Sequence, residues 1–254
     1  MSGKIFVIGL GPGNPDQITP QASAALAEAT DLFGYGPYVE RAALLSHQTR
    51  HISDNREEMD RAGAALTLAA SGRTVAVVSG GDPGVFAMAA AVTEAIEFGP
   101  PEWRELELTI VPGVTAMLAT AARVGAPLGH DFCAMSLSDN LKPWGIVEAR
   151  LRAAAKAGFV IALYNPISRA RPWQLGRALE IMREILPAAT PIIFGRAAGR
   201  PDERINVVPL SDAQGEMADM ATCVIIGSAE TRVIARDGQS PLVYSPRSFG
   251  RLAK

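Results

Sequence analysis

His130 and Asp131 stand immediately before a short apolar run, residues 132–137 (FCAMSL), and Ser136, Ser138 and Asp139 lie at its far end. An imidazole, two carboxylates and two hydroxyls around one strand could exchange protons with a ligand. The same residues also suit a buried strand followed by a helix that Asp139 caps and that Pro143 and Trp144 open. Spacing alone favours the second reading. Two glycine-rich turns widen the choice. Gly9, Leu10 and Gly11 follow an apolar run that starts at Ile5, as in a dinucleotide-binding turn, but Asn14 stands where that fingerprint has its third glycine. Pro12 and Pro15 keep the chain out of helix until Thr19, so no helix N-terminus faces a pyrophosphate and a nicotinamide-dependent oxidoreductase is disfavoured. The Gly-Pro-Gly turn instead exposes a rigid backbone that a flat ligand can approach. The second turn, Gly80, Gly81, Asp82, Pro83, Gly84, combines free amides with a carboxylate, which suits a cationic ligand with hydrogen-bonding ends and repels phosphate. Asp82 can also cap a helix opened by Pro83, and the two roles are compatible.

These residues need a frame, and the apolar runs supply it. IFVIGLGPG from Ile5, VAVVSGGDPG from Val75, LTIVPG from Leu108, VIALYNP from Val160, PIIFGR from Pro191 and CVIIGS from Cys223 are short, rich in β-branched residues and end in turn residues. Ala-rich amphipathic stretches usually follow them. Alternation of this kind predicts parallel strands with crossover helices. Helices are expected after Thr19, with Pro20 at the first position, and over residues 56–71, 83–98, 144–157 and 172–186. The glycines and proline between Val124 and Asp131 suggest two α/β domains, residues 1–125 and 130–254.

The 254 residues are 48% apolar and 20% charged with a net charge of −2, a globular composition without the basic field that attracts nucleic acid or anionic membranes. No apolar run reaches the ~20 residues of a membrane span. Lys4 precedes only four apolar residues before glycine, too few for a secretory signal, so a cytoplasmic location is expected with Cys133 and Cys223 as reduced thiols. His47 and His51 are four apart but lack a third ligand, and no metal is expected.

FVIGLGPGNPDQIT, VVSGGDPGVF, VPGVTAMLAT, ALYNP and IIFGRAAGRPDE, in this order, resemble the tetrapyrrole (corrin/porphyrin) methyltransferases over nearly the whole chain. GHDFCAMSLSDNLKPW, YNPISRARPWQL and IIGSAETR are most similar to the members that methylate carbon 17 of precorrin-3B and contract the ring to give precorrin-4. The resemblance implies two α/β domains with S-adenosylmethionine in a cleft between them, a homodimer and a precorrin substrate. It implies cofactor contacts at Pro12, Gly80, Gly81, Asp82, Val85, Thr115, Ala116, Tyr164, Asn165 and Ala197. Where relatives often show SGDPGIYGM this chain has GGDPGVFAM, losing a serine and a tyrosine hydroxyl. Methyl transfer to an electron-rich ring needs alignment more than a nucleophile, whereas contraction needs an acid and a base. His130, Asp82 and Tyr164 are the expected proton-handling residues, with Asp131 and Asp139 as further candidates. Arg169 and Arg171, which follow the Tyr-Asn-Pro turn, and Arg196 and Arg200, which flank the Ala-Ala-Gly turn, are expected to hold the substrate's carboxylates. A sibling methyltransferase, the cobalt-loaded version of the same step, and a non-catalytic tetrapyrrole carrier are the alternatives.

Overall fold

A parallel sheet is covered on both faces, so its strands read as unbroken apolar runs whose alternate residues enter opposite layers. β1 (Lys4–Gly9) does this, Ile5 and Val7 joining one layer and Phe6 and Ile8 the other. The computed structural model describes residues 3–42, 45–54, 56–168 and 170–248 and divides into two compact units, Met1–Thr115 and Ala116–Lys254. After β1 the first unit continues through α1 (Pro20–Glu28), β2 (Asp31–Tyr35), α2 (Gly36–Arg41), β3 (Thr49–Ser53), α3 (Glu58–Ala70), β4 (Thr74–Ser79), α4 (Met88–Phe98) and β5 (Glu107–Val111). Its five strands are all parallel, in the order β3-β2-β4-β1-β5. Val75 and Val77 pack with Leu66 of α3 and Val92 of α4 on one face, and Ala76 and Val78 with Leu26 of α1 and Val39 of α2 on the other. Neighbouring strands β1 and β4 therefore send their chains to opposite faces, and this parting opens a crevice at their carboxyl ends.

Thr19 caps α1 as expected, its hydroxyl accepting the Ala22 amide at 3.1 Å. The helix expected from Pro83 begins only at Met88. Phe86 has φ 53°, in the left-handed region, which no α-helix tolerates, and Asp82 is drawn into the turn instead of capping it.

The second unit runs α5 (Ala116–Val124), β6 (Gly125–Ala126), β7 (Phe132–Ser136), α6 (Trp144–Lys156), β8 (Val160–Tyr164), α7 (Gln174–Arg183), β9 (Pro191–Arg196), β10 (Arg204–Pro209), β11 (Thr222–Ile226), β12 (Arg232–Ile234) and β13 (Leu242–Tyr244). Its main sheet has the order β10-β9-β11-β8-β7 and is mixed, a departure from the expected parallel arrangement. β7 and β8 are parallel, but β11 lies antiparallel to both β8 and β9, and β10 is antiparallel to β9. Residues 197–203 turn straight back from β9 into β10, too few for the helical crossover that parallel neighbours require. Ile161, Leu163, Phe194 and Val224 pack under α6 and α7 with Leu151 and Leu179, while Val160, Ala162, Ile193 and Ile225 face Ala121 and Val124 of α5. A Cβ on Gly195 would lie 2.2 Å from the Thr120 hydroxyl, so glycine is what lets α5 sit down on the sheet. The stretch expected to mark a domain boundary near Gly125 belongs to the second unit, where β6 pairs with β13 and Ser245 donates to the Pro127 carbonyl at 2.6 Å. No helix among the described residues is long and apolar enough to cross a membrane. Both cysteines are free thiols; burial raises the pKa of each, that of Cys223 to about 12.

His51 is on a strand rather than a helix, stacked on Phe33 with its Nε2 3.0 Å from Asp31. Asp31 is only 3% exposed and also accepts from Thr30 at 2.7 Å and from Arg73 Nε at 2.9 Å. Burial raises its pKa, but the hydrogen bonds from His51, Thr30 and Arg73 together hold it below the ordinary 3.8. Because the folded value is depressed, this carboxylate contributes stability above pH ~4 that is lost as the pH falls through the folded value. Asp31→Asn is expected to cost about 1.5–3 kcal/mol at neutral pH, the worth of a charged hydrogen bond, and to flatten the stability loss below pH ~4. Denaturant unfolding of both proteins from pH 3 to pH 7 checks this; parallel curves would refute it.

Candidate active site

In the first unit the expected site residues gather at the β1/β4 crevice. Gly11 and Gly81 exchange backbone hydrogen bonds of 3.1 and 2.8 Å across it, an isolated antiparallel bridge past the ends of both parallel strands. Both glycines have positive φ, 67° and 71°, and a Cβ on Gly11 would meet the Gln17 carbonyl at 2.8 Å. Asp82 locks the neighbouring turns, one carboxylate oxygen accepting the Gly84 amide at 2.8 Å and the other the Gly113 amide at 3.0 Å. It thereby ties the loop after β4 to the loop after β5, which carries buried Thr115. Pro12 is buried beside Gly11, and the Val85 amide returns to the Asp82 carbonyl at 3.3 Å.

Two residues outside the quoted motifs shape this edge. A Cβ on Gly80 would come within 2.7 Å of the Tyr38 ring, so Tyr38 occupies the space that the serine of relatives would need. Arg41 lies 5.9 Å over that ring and donates to the Gly11 carbonyl at 3.0 Å. Both sit on a helix without a recognisable motif, and only the fold brings them to the turns.

In the second unit Tyr164 ends β8 and Asn165 follows it, and Ala197 follows β9, which runs in the same direction. These residues therefore share one edge of the sheet. The Tyr164 hydroxyl accepts the Met117 amide at 3.1 Å in the first turn of α5, directly after Ala116, so this tyrosine anchors the helix start. Asn165 donates from Nδ2 to Ser136 at 3.0 Å. Asn165 and Ala197 have φ 51° and 49°, and with Phe86 they are the positive-φ residues other than glycine among those described. A side chain in that region costs about 1–2 kcal/mol, and such strain collects at functional sites where the surroundings over-determine it.

His130 is not brought to this edge. It precedes the start of β7, whereas Tyr164 pairs with Ser136 at the end of that strand, six residues on, which is roughly 20 Å of extended chain. Its Nδ1 lies 3.9 Å from the exposed Asp131 carboxylate, beside the turn that leads into the strand. Asp139 does not cap α6, whose first turn has no side-chain cap; it accepts from Arg171 at 2.6 Å and from Gln174 at 3.0 Å. Arg171 also donates to Asn140, so its guanidinium is engaged within its own unit. Arg196 is held still more firmly, with Nε 2.7 Å from Asp219 and Nη1 2.6 Å from Asp202. The two carboxylates raise its pKa, and it helps to lower theirs; burial opposes this at Asp219 but is outweighed by bonds from Thr222 and Arg196. Arg200 is half-buried, its amide on the Ala197 carbonyl at 2.9 Å. Arg169 lies outside the described residues.

The edge of the first unit fits an S-adenosyl group. Glycines line it because a side chain would collide with backbone, a Cβ on Gly113 meeting the Gly81 carbonyl at 2.3 Å, so a ligand can lie close against the main chain. Asp82 is opposite in charge to an ammonium or sulfonium.

Residues 4–214 match the family of Tetrapyrrole (Corrin/Porphyrin) Methylases. A precorrin-3B C(17)-methyltransferase from Sinorhizobium sp is 66% identical over 249 residues, covering 98% of each chain. The crystal structure of the methyltransferase CobJ superposes with a TM-score of 0.91 at 56% identity, covering 96% of this chain and 100% of that one. Uroporphyrin-III C-methyl transferase from Thermus thermophilus, solved in complex with S-adenyl homocysteine, shares the fold at 22% identity and a TM-score of 0.67, covering 89% of this chain and 98% of that one. The chain belongs to the tetrapyrrole (corrin/porphyrin) methylases.

Proposed function

We propose that this protein transfers a methyl group from S-adenosylmethionine to carbon 17 of precorrin-3B, with ring contraction to precorrin-4, in cobalamin biosynthesis. The observation that carries this reading is the 66% identity to the Sinorhizobium enzyme across 98% of both chains, well beyond what the fold alone demands. When bound, S-adenosylmethionine supplies an electrophilic methyl group on a sulfonium leaving group. The chain's own task is then positioning, and alignment of two reactants is worth about 7–11 kcal/mol in well-oriented systems.

In this reading the backbone of Pro12, Gly80, Gly81 and Val85 receives the cofactor, with Thr115, Ala116, Tyr164, Asn165 and Ala197 as the remaining contacts. Asp82 holds two loops through its amide bonds and adds a negative charge toward the cofactor's cationic groups. Tyr164 accepts the Met117 amide, which fixes its hydroxyl next to Ala116, where it is proposed to take part in proton transfer. Of Arg169, Arg171, Arg196 and Arg200, the arginines expected to hold substrate carboxylates, Arg171 and Arg196 already serve carboxylates or amides of their own unit, which argues against that role for these two. His130 is given no proton transfer, since it stands at the opposite end of β7 from Ser136 and its β8 partner Tyr164.

Incubation with S-adenosylmethionine and precorrin-3B is expected to give a product one methyl group heavier with the spectrum of a contracted ring. Turnover of the cobalt-loaded substrate alone would instead assign the cobalt version of the step, and an unchanged substrate would refute methyl transfer. Asp82→Asn leaves one of two amides without an acceptor and removes the charge, and is expected to weaken S-adenosylmethionine binding about tenfold or more. The loss should be smaller for S-adenosylhomocysteine, which lacks the sulfonium charge; equal losses in calorimetry would show that the charge of Asp82 does not act on the sulfonium. His130→Ala is expected to keep kcat within about threefold of wild type, against the 100-fold or greater loss typical of a general acid or base.

A further inference from the structure

Residues 197–203 form the turn that carries Ala197, and carboxylates at its far end are fastened by two arginines. Arg196, the last residue of β9, reaches across to Asp202 at 2.6 Å and to Asp219 at 2.7 Å, and its Nη1 also meets the Asp202 carbonyl at 3.2 Å. Arg123, in the last turn of α5, places Nε 2.8 and 2.9 Å from the two oxygens of Glu203. Glu203 turns one of those oxygens inward to accept the Gly199 amide at 2.5 Å. Asp219 is fixed in turn by Thr222 at 2.8 Å and by the Ala221 amide at 2.9 Å, while the Ala221 carbonyl accepts the amide of Ala197 at 2.9 Å. The bonds thus run from both arginines through the turn to the backbone of a buried alanine with φ 49°.

An alanine does not hold that conformation by preference, so something around it must. We infer that Arg196 and Arg123 are positioning residues, which clamp Asp202 and Glu203 so that Ala197 keeps the left-handed backbone it presents to S-adenosylmethionine. This rests on Ala197 being a cofactor contact, and it replaces the expectation that Arg196 meets a substrate carboxylate. A guanidinium already paired with two carboxylates is poorly placed to take a third, whereas those pairs cross the turn at the points where it would otherwise open.

Glycine adopts positive φ without the cost that alanine bears, so it makes the clamp dispensable, and this supplies the test. S-adenosylhomocysteine binding is measured by calorimetry for the wild type, Arg196→Gln, Arg123→Gln, Ala197→Gly and the two double variants, with the KM for precorrin-3B alongside. Each arginine variant is expected to bind S-adenosylhomocysteine about tenfold more weakly while the precorrin-3B KM stays within about threefold. Adding Ala197→Gly is expected to restore most of that affinity, a coupling that independent sites would not show. Unchanged binding in the arginine variants, or a loss that glycine does not recover, overturns the proposal. A raised precorrin-3B KM with unchanged S-adenosylhomocysteine binding also overturns it and returns Arg196 to the substrate. Should Arg196→Gln fail to fold, Asp202→Asn decides the matter, since it removes the more exposed partner and is expected to shift binding in the same direction. A wild type that does not bind S-adenosylhomocysteine sinks the cofactor reading itself, an outcome distinct from all the others.

Discussion

The two hydrogen bonds between Gly11 and Gly81 are what the cofactor edge of the first unit depends on. Strands β1 and β4 pair along their length, then send their chains to opposite faces of the sheet, and without a further tie the loops beyond them would separate. The exchanged bonds form an isolated antiparallel bridge beyond the parallel strands, and at Gly11, with φ 67°, a side chain would strike the Gln17 carbonyl. Asp82 extends the same logic to the third loop by bonding the Gly113 amide. The crevice is therefore a backbone surface, made rigid by main-chain bonds and one carboxylate.

The second unit solves a similar problem by other means. Its sheet is mixed, so no pair of parting parallel strands creates a crevice, and the turns at the ends of β8 and β9 carry strained residues instead. Asn165 is restrained by Ser136 on the neighbouring strand, and Ala197 by the ion pairs around residues 197–203. Exposed ion pairs are individually weak, commonly worth ~0.2–1 kcal/mol. They matter here because several converge on one short turn.

Much of this was legible in the sequence where the signal is local. The apolar runs of β1, β4, β8, β9 and β11 marked real strands, and Thr19 with Pro20 marked a real helix start. What failed to show was anything set by strand direction or by contacts remote in sequence. Runs such as PIIFGR look alike whether their neighbours are parallel or antiparallel, so the mixed sheet was hidden, and so was the register that pairs Tyr164 with Ser136, the end of β7 away from His130. Pro83 read as a helix opener because Asp82 is a good cap, yet tertiary demand for its carboxylate at Gly113 won. Arg196 looked like a free anion binder, since nothing nearby in sequence identifies Asp219 as its partner.

Tyr38 makes the Gly80 turn depend on an element remote in sequence. Its ring fills the volume beside Gly80, and it is itself wedged by Tyr35, whose ring centroid is 5.5 Å away, and by Arg41, which also reaches the Gly11 carbonyl. A side chain at position 80 would meet the Tyr38 ring where it now stands, so anything larger than glycine there requires that ring to move. Moving it disturbs Arg41 as well, and with it the bond to the Gly11 carbonyl. The shape of the turn after β4 is thus set in part by a helix forty-two residues earlier in the chain.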